Sequence, residues 1–564
     1  MERSVSSRLR VPSIAAAAVI VLSSFALGVP AHADTNPTNP ADPATPTTVT
    51  ADALPTPQIN GVVWSQAIVG NTVYAGGQFT TAQPAGAASG VNTVARTNIL
   101  SYNLTTGVLN TSFNPQLNGV VRAITASPDG SRIYVGGAFT TVNGANAYRV
   151  AALDPTSGAM LSGFAPTINS TVNAIAVSGS TVYLGGVFSS VNKETHNKVV
   201  ALTTAGKNVT PFTASAAGGD VAALAVSPDG THIVIGGSFT SLNGSSNPGY
   251  GLGSVDPTGA LQPFAANNVV RDADTSSGIT SLVGDASGVY GSGYTFGPGT
   301  LEGSFHADWS TGNITWVEDC HGDSYSIAVS DNAEYLAGHP HYCGNIGGFP
   351  QTDPQPNWTF HRAIAFSKAA TQTITADPYG YTNWAGTPAP SLLNWYPEFN
   401  TGTFTGKTQG PWSVAANSQY VVYGGEFTTV NGVRQQGLTR FAIPSIAPKK
   451  MGPQASGAQF TPSAVSLTSG TVRLSWAANS DPDNSTLTYN VYRNGNMTTP
   501  VYTTKADSSI WKKPAMGFTD TGLTPGPATR TGCGRPTRTA TPSSATTSAS
   551  RSRTSSRRRT RPPC

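Results

Sequence analysis

Five of the eight histidines fall between His306 and His361. Two groups stand out there, His321-Gly-Asp323 and His339-Pro-His341, next to Cys320 and Cys343. His-x-His on a strand puts both rings on one face, and a nearby Asp completes a donor set. If a metal binds, His321, Asp323, His339 and His341 are the candidates. The competing reading is a hydrogen-bonded loop, and Pro340 argues against a regular strand at this point. The cysteine spacing matches no zinc pattern. In an exported chain a Cys320–Cys343 disulfide is the natural pairing, and closing that loop contributes about 2–4 kcal/mol.

Carboxylates are the second possible chemistry. Glu318-Asp319, Asp323 and Glu398 lie in the aromatic-rich part of the chain. Paired carboxylates support glycoside hydrolysis, but nothing in this spacing singles out an acid and a base. Asp129, Asp154, Asp229 and Asp256 each precede Gly or Pro and recur with the repeats, so they read as turn residues. The chain has no Gly-x-Ser-x-Gly elbow, no phosphate loop and no His-Glu-x-x-His helix. The stretch from Gly344 to Gly410 is rich in aromatics. Within it Tyr379, Tyr381, Trp384 and Trp395 are candidates to stack on sugar rings from an exposed loop; the alternative is that they pack the loop down.

These residues must be held by a repeated element. Val73-Tyr-Ala-Gly-Gly-Gln-Phe-Thr80 returns as Ile133-Tyr-Val-Gly-Gly-Ala-Phe-Thr140, Val182-Tyr-Leu-Gly-Gly-Val-Phe-Ser189, Ile233-Val-Ile-Gly-Gly-Ser-Phe-Thr240 and Val422-Tyr-Gly-Gly-Glu-Phe-Thr428. The first three intervals between Gly76, Gly136, Gly185 and Gly236 are 60, 49 and 51 residues. Each unit reads as four short strands, with Ser127-Pro-Asp-Gly130 and Ser227-Pro-Asp-Gly230 as hairpin turns. Two degenerate units begin near Ile279 and Tyr325, making seven. One Gly motif per evenly spaced unit predicts a seven-bladed β-propeller over residues 58–446. The sixth unit is expected to carry a long rim loop from Ser367 to Ser391.

The pattern Tyr-x-Gly-Gly-x-Phe-Thr-x-Val-Asn-Gly, followed by Leu-Asp-Pro-x-x-Gly, resembles the delta-60, kelch-like propeller repeats of secreted bacterial proteins. It is also distantly similar to quinoprotein propellers. Those carry a Trp after the turn where Met160 and Leu161 stand here, so no quinone and no other cofactor is expected. Beyond a 447–459 linker, Val472-Arg-Leu-Ser-Trp476, Leu487-Thr-Tyr-Asn-Val-Tyr-Arg493 and Phe518-Thr-Asp-Thr-Gly522 resemble a fibronectin type III module over 460–526. That resemblance implies a β-sandwich with Trp476 and Tyr489 in its core, and it stops before the last strands.

Residues 1–33 read as a signal peptide: Arg3, Arg8 and Arg10, an apolar run from Ile14 to Leu27, and Ala31-His-Ala33. No later segment is apolar enough to span a membrane. Residues 34–57 read as a Thr/Pro-rich linker. Residues 527–564 hold nine arginines and no acidic residue, and read as a disordered tail whose frame has shifted near residue 526. The total formal charge of +4 becomes −5 without those nine arginines, and −7 without the net +2 of the signal segment. A nucleic-acid partner is therefore not expected. Charged residues are only 11% of the chain, against about 25% in ordinary globular domains. The expectation is an all-β protein at the cell surface or outside the cell. It binds polysaccharide or a surface protein without assigned catalysis; the alternative is a carbohydrate-active enzyme.

Overall fold

The computed structural model describes residue 39, residues 41–447 and 450–526, and the backbone of 531–534. The described chain is all-β, with three 3-10 turns. None of its helices is long and apolar enough to cross a membrane.

Between Val62 and Ala442 the described residues form seven antiparallel sheets of three or four strands. Their first strands are Val62–Val69, Val121–Ala126, Val172–Ser178, Ala216–Val226, Ser277–Gly284, Ser324–Val329 and Pro411–Ala416. Each packs beside the first strand of the next sheet, and Pro411–Ala416 packs beside Val62–Val69. No sheet closes on itself. The first strands line a narrow channel of about 220 Å³.

The Gly-Gly pair explains this arrangement. In each clear repeat the first strand bulges where it faces the pair. Val63 pairs with Gly77 and Ser65 with Gly76, leaving Trp64 unpaired. Arg122, Asn173 and Trp412 are left over in the same way. A Cβ on the first glycine would strike the neighbouring first strand, meeting Val121 at 2.4 Å from position 76, Val172 at 2.7 Å from 136, Val221 at 2.4 Å from 185 and Val63 at 2.5 Å from 424. A Cβ on the second glycine would strike the bulged backbone, 1.9 Å from the Val62 carbonyl at Gly77. The motif therefore marks two close approaches at once, one within a sheet and one between sheets. In the degenerate units Ser292 and Ala337 take the first position, which is why the repeat fades there.

The fourth strand is more limited than expected. Three of the seven sheets have one. In others the chain returns only as far as a single bridge, such as Leu153 to Met160, after the Asp-Pro-Thr-Ser-Gly turn. The expected 367–391 loop is also shorter. Ala363–Thr373 continues as a strand and Pro388–Leu392 returns beside it, leaving 374–387 as the connection. Residues 41–57 are not a solvated linker. Val49 and Ala51 are buried, Thr50 N–H donates to the Ala442 carbonyl at 2.9 Å, and Leu54 bridges Arg440. Backbone hydrogen bonding to the last sheet outweighs the polar composition of this stretch.

After the channel domain, Ser463–Val465, Val472–Ala477 and Ala515–Asp520 form one three-stranded sheet. Tyr502–Asp507, Thr486–Arg493 and Thr531–Gly534 form another. Trp476 and Tyr489 pack between them, ring centroids 6.4 Å apart. The strand Thr531–Gly534 falls within the segment expected to be disordered; it pairs with Asn490–Arg493. The remainder of that tail and the signal segment lie outside the described residues. This second unit is docked, not merely tethered: Trp511 Nε1 donates to the Gly347 carbonyl at 3.0 Å, and Tyr396 N–H to the Pro482 carbonyl at 2.8 Å.

Trp395 is a core residue. It is fully buried against Tyr335, Tyr423 and Phe441 and offers no face to a ligand. Its replacement by Ala is expected to cost about 3–5 kcal/mol in urea unfolding. Gly185→Ala, which drives a methyl group into Val221, is expected to cost about 1–3 kcal/mol. Glu334 is buried in the sixth sheet opposite Phe366. Burial pushes its carboxyl up to about 8, and only the Ser304 hydroxyl pulls it back. A raised acid keeps its proton in the folded state after the unfolded chain has lost it, so stability falls as pH climbs from about 4.5 to 8. Glu334→Gln should flatten that slope, recovering about 2 kcal/mol between pH 6 and pH 8 relative to the parent, read by denaturation at several pH values.

Candidate functional site

The histidine-rich segment folds into one wall of a cleft of about 540 Å³ on the rim of the fifth and sixth sheets. Thr295, Glu302, Asp319, Asp323, His339, His341, Trp358, Phe360 and Tyr381 are among its lining residues. Cys320 and Cys343 are disulfide-bonded with their Cα atoms 4.3 Å apart, across 23 residues of sequence. His321 and Tyr342 bridge beside this link, and His341 N–H donates to the His321 carbonyl at 2.7 Å. The disulfide therefore clamps the two histidine groups side by side.

The four proposed metal ligands do not converge. Pro340 breaks the strand alternation, and the two rings of His339-Pro-His341 go to different partners. His339 joins a network with Tyr325 and Gln409: the Tyr325 hydroxyl is 2.9 Å from His339 Nδ1 and 3.2 Å from Asp323 Oδ2, and Gln409 Oε1 is 3.2 Å from Nδ1. His341 stacks on Trp358 at 4.0 Å. His321 meets the His341 ring edge-on at 6.2 Å but is stacked on Tyr381 at 3.9 Å. Its Nε2 lies 2.8 Å from Asp377 Oδ2 and 3.8 Å from Asp319 Oδ2. Asp377 went unnoticed because it sits far along the chain, in a turn whose spacing carries no signal.

Burial governs the electrostatics of the cleft. It pushes the Glu302 carboxyl up to about 8, against one hydrogen bond from Gly322 N–H at 3.1 Å. It pushes Asp323 up to about 6 and raises Asp319, and it lowers His339 and His341 to about 4. At neutral pH these two rings are uncharged, and Glu302 can keep a proton to donate. Glu302 is the carboxyl that sequence reasoning missed. Glu398 is exposed, its N–H capped by Asn431, and it does not line the cleft.

The aromatic candidates divide. Tyr381 lines the cleft and Tyr379 is exposed beside it, 5.0 Å from Tyr342. Trp384 is buried, its Nε1 donating to the Thr300 carbonyl at 3.1 Å, so it pins the 374–387 connection to the fifth sheet. Trp384 and Trp395 are thus packing residues, because large flat side chains on a loop gain more from burial than from exposure. Trp358 and Phe360 take their place at the cleft.

A second cavity, about 480 Å³, opens at the mouth of the channel. Its walls include four of the bulge residues described above, Trp64, Arg122, Asn173 and Trp412, joined by Thr280 and Tyr325. Trp64 and Trp412 lie 4.9 Å apart, Trp412 and Tyr325 4.3 Å, and the Arg122 guanidinium sits 4.4 Å over Trp64. Tyr325 joins this mouth to the cleft through its hydroxyl bonds to His339 and Asp323. The sequence signal was available for four of them: Trp64, Arg122, Asn173 and Trp412 each lie one or two places into the first strand, opposite the Gly-Gly pair.

Comparison with known proteins agrees with the architecture. No curated protein sequence matches the chain. Among solved structures, the computationally designed Ika8 protein is 14% identical with a TM-score of 0.38, covering 70% of this chain and 100% of its own. A chain of the mitotic checkpoint complex is 13% identical with a TM-score of 0.37, covering 70% and 96%. These scores are too low to carry an argument. The family described as the Rax2 C-terminal beta propeller domain matches residues 99–245, and with it the all-β chain contains a β-propeller domain.

Proposed function

We propose that the chain is an exported, cell-surface or secreted binding protein. Its seven sheets are the blades of one propeller, and residues 460–526 are a fibronectin type III-like module docked against it. Its ligand is an extracellular polysaccharide. The reading rests on one observation: two cavities, linked by the Tyr325 hydroxyl bonds to His339 and Asp323, each have aromatic walls, with Trp64, Tyr325 and Trp412 at the channel mouth and Trp358, Phe360 and Tyr381 in the cleft. Flat aromatic faces beside hydroxyl, amide and carboxyl groups suit sugar rings, which present an apolar face and a polar edge. The signal-like start and the disulfide support export. A β-propeller by itself supports a scaffold or binding role and names no ligand.

One observation favours a second reading, a carbohydrate-active enzyme. Glu302 and Asp323 line the same cleft, and Glu302 holds its proton at neutral pH as a general acid must.

The test is calorimetric titration of the purified, oxidised chain with a panel of soluble cell-wall and matrix polysaccharides, followed by assay for released sugar ends. Binding is expected without release. Trp358→Ala and Trp412→Ala should each weaken it about tenfold, a loss of about 1.4 kcal/mol. Absence of binding to every polysaccharide would sink the proposal. Release of sugar ends that disappears in Glu302→Gln, with binding retained, would establish the enzyme instead.

A further inference from the structure

Asp319, His321 and Asp377 form a group that neither the cleft's aromatic floor nor the His339 network uses. One donor atom from each lies within 4.8 Å of the others. His321 is completely buried, and neither of its ring nitrogens makes a hydrogen bond. Asp377 Oδ2 is 2.8 Å from His321 Nε2, yet it too makes no hydrogen bond. The contact is short but not aligned along a ring N–H. Two buried donors in close apposition without a hydrogen bond between them are costly unless something sits beside both.

The surroundings orient the group. Asp377 Oδ1 accepts the N–H groups of Tyr379, Gly380 and Tyr381 at 2.8, 2.7 and 3.0 Å, which fixes the carboxylate and leaves Oδ2 facing His321. Asn345 Nδ2 donates to Asp319 Oδ2 at 2.9 Å and to the Asp319 carbonyl at 2.8 Å, fixing the second carboxylate. Tyr381 stacks on the imidazole and fixes its plane. Hydrogen bonds behind the two carboxylates, with a stacked ring behind the imidazole, hold the three donors in place, as outer partners do for metal ligands.

We propose that Asp319, His321 and Asp377 bind one divalent transition-metal ion, Zn²⁺ by the chemistry of its donors. Ligands about 2.1 Å from a shared ion stand roughly 3.0–3.4 Å apart in octahedral or tetrahedral geometry, and the two measured separations, 2.8 and 3.8 Å, bracket that range. Two carboxylates balance the charge of the ion, and an imidazole nitrogen selects a transition metal over Mg²⁺ or Ca²⁺. Three protein donors leave a coordination position for water or a ligand group. Asp319 and Tyr381 also line the cleft, which places the ion at its wall. The other nearby donor group, Glu318 with Cys320 and Cys343, is not a competitor, because both sulfurs are in the disulfide. This site does not depend on the polysaccharide reading.

The test uses the full, untagged chain, dialysed against chelator and titrated with Zn²⁺, Mn²⁺ and Ca²⁺ in competition with a chromophoric chelator. Zn²⁺ should occupy one site at micromolar affinity or tighter and raise the melting temperature. Asp377→Asn keeps the Oδ1 acceptor for its turn and removes only the anionic donor; it should weaken that site at least tenfold. Asp319→Asn should do the same, independently of the turn. The melting temperature of each metal-free variant, compared with that of the metal-free parent, checks folding. A parent chain with no Zn²⁺ site, a site of parental affinity in both variants, or a preference for Ca²⁺ over Zn²⁺ would overturn the proposal.

Discussion

The close approach between the Gly-Gly strand of one sheet and the bulged first strand of the next is the constraint on which the rest depends. No side chain fits there. The first glycine lets Val121, Val172, Val221 or Val63 of the adjoining sheet pack against bare backbone. The second admits the bulged carbonyl. With the sheets drawn together at this radius, the first strands crowd around a channel, and the bulge turns one residue per sheet towards it. The same contact that holds the sheets together therefore chooses which residues line the mouth.

The candidate site gathers where the constraint is relaxed. The fifth and sixth sheets carry Ser292 and Ala337 in the first glycine position, and between them lie the longest connections, the disulfide and most of the histidines. Their interior is also unusually polar. Glu302, Glu318, Asp319, Glu334 and His321 are all buried there, whereas the clear repeats bury chiefly Val, Ile, Leu and Phe. Buried ionisable groups oppose folding at one pH or another. The disulfide, worth about 3 kcal/mol in loop entropy, is placed where it offsets that cost. Docking of the second unit through Trp511 and the Pro482 carbonyl braces the same side of the molecule.

The cleft and the channel mouth meet at Tyr325. Its backbone sits at the bulge of the sixth sheet, its ring lies on Trp412, and its hydroxyl ends in the His339 and Asp323 network. The proposed metal site lies at the cleft wall to which Asp319 and Tyr381 contribute.

Much of the architecture was legible in the sequence, because repeated close approaches can be met only by glycine and so leave a periodic mark. The Cys320–Cys343 pair was read from the sequence on the expectation of an exported chain, and the structure joins the two. The candidate site was legible only in part. Asp323, His339 and His341 do line one cleft, with His321 buried behind its wall, yet Pro340 and the disulfide send the histidine rings to different partners. Asp377 and Glu302 reach the site from other strands and turns, and sequence spacing is silent about such encounters. Trp384 and Trp395 show the converse error. Composition marks an aromatic-rich loop, but whether a tryptophan faces solvent or core depends on what stands opposite it. Here Thr300 and Tyr423 stand there, and only the tertiary structure brings them.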